Sequence, residues 1–516
     1  MYKLKALFTL PFSLLISYVF AEQSADTIPS LHHHRLRTLI VFFDGLRSDY
    51  ITEENMPNLF AFKQQGIYGT QHHSVFPTVT RVNASSYATG SYPATHGIMG
   101  NSVYFPSVNK IKGLNTSAVT NLINISDAEN GHLLTAPSLG ELLAKGGERM
   151  MVFSSGSTGQ AFLQNHTISG GMIVNTDTIL PASMQNTVWQ AIGKAPAEEP
   201  DNKPRHQWVT DALIQFGFAE NGPLVSAIWY SDPDGAAHEH GIGSFEAVQS
   251  VKNVDEQFGR ILKYLEDKDL LPYYNIIVSA DHGFVTYAGK EDLTHFLIQQ
   301  QLKSNETSED VVIADGAIYV KDHDPKQIAL IVQSLQQQEW IGAIFTKGRK
   351  KSDLKGSIAG TLSFESIHWN HKERAGDILV DVNWNDNKND KGFAGTSFSR
   401  GVAGHGSISP YETHIALIAS GPSFKKNSES DLPTSNVDIV PTILFIHHIG
   451  GYEKMDGRVL TELLSGNKTV PIKPIVVTTT TETKVNDIVY KLSLNRTIFG
   501  KYQYINFAKA VRVVGK

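Results

Sequence analysis

Three continuous apolar runs of strand length punctuate the chain: TLIVFF at 38–43, PLVSAIWY at 223–230 and NIIVSA at 275–280. They are rich in β-branched and aromatic residues and do not alternate with polar ones, which predicts strands buried on both faces, as in a parallel sheet. Between them lie stretches with helical spacing. One runs from Pro57 to Gln65 and stops at Gly66; SLGELLAKGG (138–147) and HQWVTDALIQFGF (206–218) are two more. The longest, from Phe245 to Leu265, repeats Val248, Val251, Val254, Phe258, Ile261, Leu262 and Leu265. Strands alternating with helices predict an α/β layered fold with a largely parallel sheet. RMMVFSSG (149–156) and HIALIASG (414–421) add strands, VDIVPTILFIHHI (437–449) adds a helix, and 181–204 reads as a loop.

The rhythm changes from about Phe284 to Thr396, where DVVIADGAIYV, QIALIVQSLQQQ, GAIFTKG and DILVDVNW mix short strands and a helix. The division expected is a signal peptide at 1–21, a catalytic core at 36–283, an inserted α+β cap at 284–396, the rest of the core at 397–465 and a β-rich extension at 466–516. KGFAGTSFSRGVAGHGS (391–407) reads as a Gly-rich loop.

Composition narrows the setting. Of 516 residues 41% are hydrophobic and 19% charged, the balance of a globular protein with a large core. A net charge of −6 without a long basic run argues against dedicated nucleic-acid binding. Lys3 and Lys5 precede the apolar ALFTLPFSLLISYVF, and Val19-Phe20-Ala21 offers a cleavage site, so a secretory signal peptide is expected. No other long apolar run occurs beyond it, so no membrane span is expected after cleavage. The absence of cysteine suits a bacterial periplasmic protein better than a vertebrate extracellular one, and localisation is expected to be secreted or periplasmic. His32, His33 and His34 read as part of a flexible tail. Among the sequons, Asn83 is ill placed for a glycan because it lies inside the stretch carrying the chemistry.

That stretch is HSVFPTVTRVNASSYATGSYPATHGIMG (73–100). A β-like run, GIYGTQHHSVF, ends at Pro77, and VTRVNASSYATG reads as a short helix closed by Gly90. Thr78 then stands at or next to a helix N-terminus, where free N–H groups and the dipole favour an anion. A hydroxyl there serves as a nucleophile toward a phosphoryl group if something lowers its pKa; the alternative is a plain N-cap.

Acidic residues come directly after all three apolar runs: Asp44, then Asp232 and Asp234, then Asp281. Ligands of open α/β sheets bind beyond the carboxyl ends of the strands, so these acids should converge. His238 lies four residues after Asp234, His282 adjoins Asp281, and His405 sits in a GHG loop before another strand. Mixed Asp and His ligands suit Zn²⁺ or a similar ion, and their number suits two ions clamping a phosphoryl transfer.

With FFDGLRSDY (42–50), FPTVTRVN (76–83), TGSYPATHGIMGN (89–101), DPDGAAHEHG (232–241), SADHG (279–283) and GHG (404–406), the chain resembles the nucleotide pyrophosphatase/phosphodiesterase family of the alkaline phosphatase superfamily. The resemblance implies a secreted two-zinc hydrolase of phosphodiester or pyrophosphate bonds in small, nucleotide-type substrates, working through a phospho-threonine intermediate. It implies one zinc on Asp234, His238 and His405, and another on Asp44, Asp281 and His282, with Thr78 as nucleophile and bridging ligand. It also implies that Asn83 donates to a phosphoryl oxygen. Asp232 and His240 then become supporting residues. Arg81 and Val82 depart from the family, where an aromatic and a proline are usual, and Arg81 is a candidate substrate-binding residue. TRVN with HGIMGN is also similar to phosphonoacetate hydrolase, which keeps a phosphonate hydrolase or phosphomonoesterase as the alternative.

Overall fold

The run TLIVFF is buried on both sides because it lies at the centre of a sheet. In the computed structural model, which describes residues 35–199, 202–466 and 472–514, the strand Arg37–Phe43 lies between Tyr274–Ala280 and Val225–Tyr230 and is parallel to both. Its side chains alternate between two helical layers. Leu39, Val41 and Phe43 pack with Val209, Val254, Phe258 and Ile261 on one face. Ile40 and Phe42 pack with Ala84, Tyr87, Leu143 and Ile443 on the other. A strand covered twice has no solvent face and so no polar alternation.

The sheet has ten strands. Outward from the centre, one side continues through Met150–Ser154 and Met172–Asn175, and the other through His414–Ser420 to Ile67–His73. His414–Ser420 runs antiparallel to both its neighbours, while the central strands are parallel. The fold is alkaline-phosphatase-like, with a mostly parallel sheet between helices. The long helix runs Phe245–Asp267, capped by the Ser244 hydroxyl accepting from the Ala247 N–H at 3.1 Å.

Register decides what emerges at the carboxyl edge. Phe43 pairs with Ala280 on one side and Tyr230 on the other. The next residues, Asp44 and Asp281, therefore leave the sheet side by side.

A five-stranded sheet is built from Val311–Ala314, Ala317–Val320, Ile378–Val382, Ile341–Thr346 and Leu362–Ser363. Its core of Ile318, Ile331, Ile344 and Trp369 extends to Phe76 and Met99, which flank the helix Thr80–Thr89 in sequence. Residues 475–514 form three antiparallel strands. The signal peptide and the histidine tail lie outside the described residues.

Two loop expectations need correction. The helix Gln185–Ile192 forms within 181–204, because Val188 buries itself in the core and Trp189 and Ile192 pack against it. The Gly-rich stretch contains the strands Ala394–Ser397 and Ala403–Gly404, which join Val285–Tyr287 and Trp384–Lys388 in a small sheet. Gly404 is required there: a Cβ would lie 2.1 Å from the Tyr287 hydroxyl oxygen, and that hydroxyl donates to the His405 carbonyl.

Candidate active site

Asp44, Asp281 and His282 meet at the carboxyl edge, and Asp234, His238 and His405 form a second group. Asp234 opens the helix Asp234–His240, so His238 lies one turn on, with Nε2 3.3 Å from Asp234 Oδ1. His405 Nε2 is also 3.3 Å from that oxygen. His282 Nε2 lies 3.1 Å from Asp281 Oδ2 and 3.5 Å from Asp44 Oδ1.

The protons of these groups are set by their partners. Nδ1 of His238, His282 and His405 faces the carbonyl of Ala403, Gly283 and Thr78 at 3.0, 3.0 and 2.8 Å. A carbonyl only accepts, so Nδ1 carries a proton, and Nε2 is the nitrogen turned to the carboxylates and open to a ligand. The carboxylates are held by their other oxygens: Trp229 Nε1 donates to Asp44 Oδ2 and Gly45 N donates to Asp281 Oδ1, both at 2.9 Å. Asp44 Oδ1, Asp234 Oδ1 and Asp281 Oδ2 are buried without a hydrogen bond. Anionic oxygens buried this close together repel unless a cation stands between them. Three carboxylates and three imidazoles so arranged fit two ions of the zinc type.

The electrostatics reflect the same crowding of charge. Burial, then the charges of Asp281 and Asp234, push Asp44 well above the usual carboxylate range. Burial acts most strongly on His282, but the charges of Asp281 and Asp234 with the hydrogen bonds to Asp281 and Gly283 together raise it, and burial together with His282 lowers His405 to about 4.

The hydroxyl beside this cluster is that of Thr80. Its Oγ1 lies 3.3 Å from His282 Nε2, and Thr80 is the first residue of the helix Thr80–Thr89, with Val79 as its N-cap. Thr78 is fully buried; its hydroxyl donates to the Ser407 carbonyl at 2.6 Å and accepts from Gly406 N at 3.2 Å. With its carbonyl on His405 Nδ1, Thr78 clamps the GHG loop, which corrects the expectation of a metal-facing Thr78 hydroxyl.

Asn83 is corrected too. Its Oδ1 accepts from Val75 N and Asn436 Nδ2, and its Nδ2 donates to the carbonyls of Val75 and Val79. No donor is left for a phosphoryl oxygen. Another amide stands at the start of the helix, that of Asn101, the last residue of HGIMGN; its Oδ1 accepts from Arg81 N at 3.0 Å. The signals available were the second Thr of PTVT and this terminal Asn. Asp232 turns from the cluster to His206, Oδ2 to Nε2 2.8 Å, and His240 is exposed beside Glu239. Arg81 is half-buried, and Asp44, Asp315, Asp234 and Asp281 are its electrostatic neighbours.

Fold and site together define a phosphoester hydrolase of the alkaline-phosphatase-like class. The chain belongs to the type I phosphodiesterase/nucleotide pyrophosphatase family, whose model matches residues 38–388. It is 24% identical to the bis(5'-adenosyl)-triphosphatase enpp4 of Xenopus laevis over 430 residues, covering 80% of this chain and 78% of that protein. It is 22% identical to human ectonucleotide pyrophosphatase/phosphodiesterase family member 5 over 452 residues, 84% of this chain and 79% of the relative. The structure of the murine member 5 superposes with a TM-score of 0.58 at 19% identity, covering 83% of this chain and all of that one. An inactive Thr-to-Ala variant of that murine protein, in complex with AMP, superposes with a TM-score of 0.56 at 18% identity, covering 84% of this chain and 100% of that one.

Proposed function

We propose that this protein is a two-zinc hydrolase of phosphodiester or pyrophosphate bonds in small nucleotide-type substrates, with Thr80 as its nucleophile. The observation that carries it is the set of buried carboxylate oxygens without a hydrogen bond that face imidazole Nε2 atoms at 3.1–3.3 Å. Asp234, His238 and His405 would hold one ion and Asp44, Asp281 and His282 the other. When bound, the ions supply positive charge that lowers a hydroxyl pKa and offsets charge on the phosphoryl oxygens.

The chain's own groups do the rest. Thr80 Oγ1 is aimed by its place at the first turn of a ten-residue helix, whose N-terminus favours negative charge. Its attack on phosphorus forms a phospho-threonine and breaks the bond to the leaving group; water then cleaves the phospho-threonine and restores the hydroxyl. Thr78 positions His405. Asn101 holds the helix start through Arg81 N and has its amide NH₂ left to donate to a phosphoryl oxygen. The inactive Thr-to-Ala variant of the murine relative agrees with a threonine nucleophile.

The same proposal includes a catalytic core at 36–283 and 397–465, a cap at 284–396, and a secreted or periplasmic setting. The setting rests on the apolar N-terminal run, and among the described residues no helix is long and apolar enough to cross a membrane. The test is zinc-dependent release of p-nitrophenol from bis-p-nitrophenyl phosphate. Active protein containing no transition metal would end the proposal.

A further inference from the structure

Arg81 adjoins the Thr80 hydroxyl in sequence. Its backbone N–H is taken by Asn101 Oδ1, which fixes where its side chain starts. Its Nε is buried without a hydrogen-bond partner, and the guanidinium makes no ion pair among the described residues. Yet the charges of four carboxylates act on it, Asp44, Asp234 and Asp281 of the cluster and Asp315, against the effect of burial. Asp315 comes from the tip of the hairpin Val311–Ala314/Ala317–Val320 and is occupied elsewhere, accepting from Ser102 N at 2.6 Å. A guanidinium among acids but paired with none is held for a charge the protein does not supply.

We infer that Arg81 is an anion-recognition arm for the transferred phosphoryl group, and that the site therefore also has a phosphomonoesterase activity. The inference rests on the proposed site, with Thr80 attacking at its centre. A diester phosphate carries one negative charge, whereas a monoester carries about two near neutral pH. A planar cation that forks two oxygens gains more from the dianion. Two divalent ions would bring four positive charges, which the carboxylates of Asp44, Asp234, Asp281 and Asp315 balance, so Arg81 supplies the net positive charge that a dianion meets. The reaction balances simply: Thr80 Oγ1 bonds to phosphorus and gives its proton to water, the ester P–O bond breaks, and the leaving alkoxide takes a proton from water. A second water then releases inorganic phosphate and restores the hydroxyl.

The experiment compares p-nitrophenyl phosphate with methyl p-nitrophenyl phosphate, which share a leaving group, on the full zinc-loaded chain. Arg81→Ala should lower kcat/KM for the monoester by roughly a hundredfold and for the diester by less than about threefold, as expected for losing a forked charge-assisted contact. Inorganic phosphate, titrated calorimetrically, should bind the variant more weakly by a similar factor. Arg81→Lys should recover part of both losses, because it keeps the charge and not the fork. Truncation strands no protein partner, so an unchanged melting temperature accompanies the result. Equal losses on both substrates, no loss, or unchanged phosphate affinity would overturn the inference. Diester turnover with an unmoved ratio leaves the hydrolase proposal standing, whereas a wild-type chain that turns over neither substrate removes both.

Discussion

The imidazole rings of His282 and His405 lie face to face, their centroids 3.4 Å apart and their planes 13° from parallel. Each belongs to a different candidate metal group. His238 stands off this stack, 5.2 Å from His405 and tilted 60°. The two groups therefore share a wall formed by two rings, and losing one ring affects both.

That contact separates two metal variants. After dialysis against zinc-free buffer, His238→Ala should keep about one zinc per chain, because only its own group loses a ligand. His405→Ala should keep less than one, because it also removes the ring that braces His282. Elemental analysis decides, and equal retention by the two variants would contradict a shared wall. Chelation should inactivate the enzyme, and added zinc should restore it.

The two threonines of PTVT should behave differently. Thr80→Ala should lower kcat by at least about a thousandfold, roughly 4 kcal/mol of barrier, while zinc stays bound. Thr80→Ser should keep partial activity because the oxygen survives. Thr78→Ala leaves the Thr80 hydroxyl intact, so its loss should be smaller and accompanied by a lower melting temperature, since Gly406 N loses a partner. A Thr78→Ala protein as dead as Thr80→Ala, yet fully stable, would return the nucleophile to Thr78.

Asn83 should show its role in stability. Asn83→Ala leaves Val75 N and the Asn436 amide without their acceptor in a fully buried place. A destabilisation of about 2–4 kcal/mol is expected in urea melts, the scale of stranding two buried donors. In the protein that remains folded, kcat should fall far less than in Asn101→Ala. Unchanged stability with a large loss of turnover would reinstate Asn83 as a substrate contact.

Acid should destabilise the fold through neutral core histidines. Burial holds His72, His96 and His414 at about 3, against an ordinary 6.5. His96 is fully buried; its Nδ1 accepts from Ile98 N, and its Nε2 meets the Ser86 hydroxyl. The unfolded chain binds protons below pH 6.5 that the folded chain refuses until about pH 3, so stability is lost as pH falls through that window. Each such group contributes up to about 1.4 kcal/mol per pH unit. With saturating zinc in both samples, His96→Gln should reduce the proton uptake on unfolding between about pH 6 and 5, as read from urea midpoints. An identical pH slope in the two proteins would exclude the mechanism.

The amino-acid sequence by itself determined the features that local pattern dictates. Runs such as TLIVFF had to be buried twice over, and a parallel register then set Asp44 beside Asp281 without further instruction. The i, i+4 spacing of Asp234 and His238 was likewise a local fact. All six candidate protein ligands were legible because each is tied to a strand end, a helix start or a Gly-bounded loop.

What only tertiary structure decided were choices between neighbours. Thr78 and Thr80 are alike in sequence; the loop 404–407, arriving from far along the chain, occupies one hydroxyl and leaves the other at His282. Asn83 looked available until Val75, Val79 and Asn436 closed around its amide. A helix N-terminus exposes several directions, and which acids act on Arg81 depends in part on Asp315, brought by a hairpin from a different sheet. Spacing specifies which residues can reach a site, but hydrogen bonds from distant segments determine which polar atoms remain unpaired there to act.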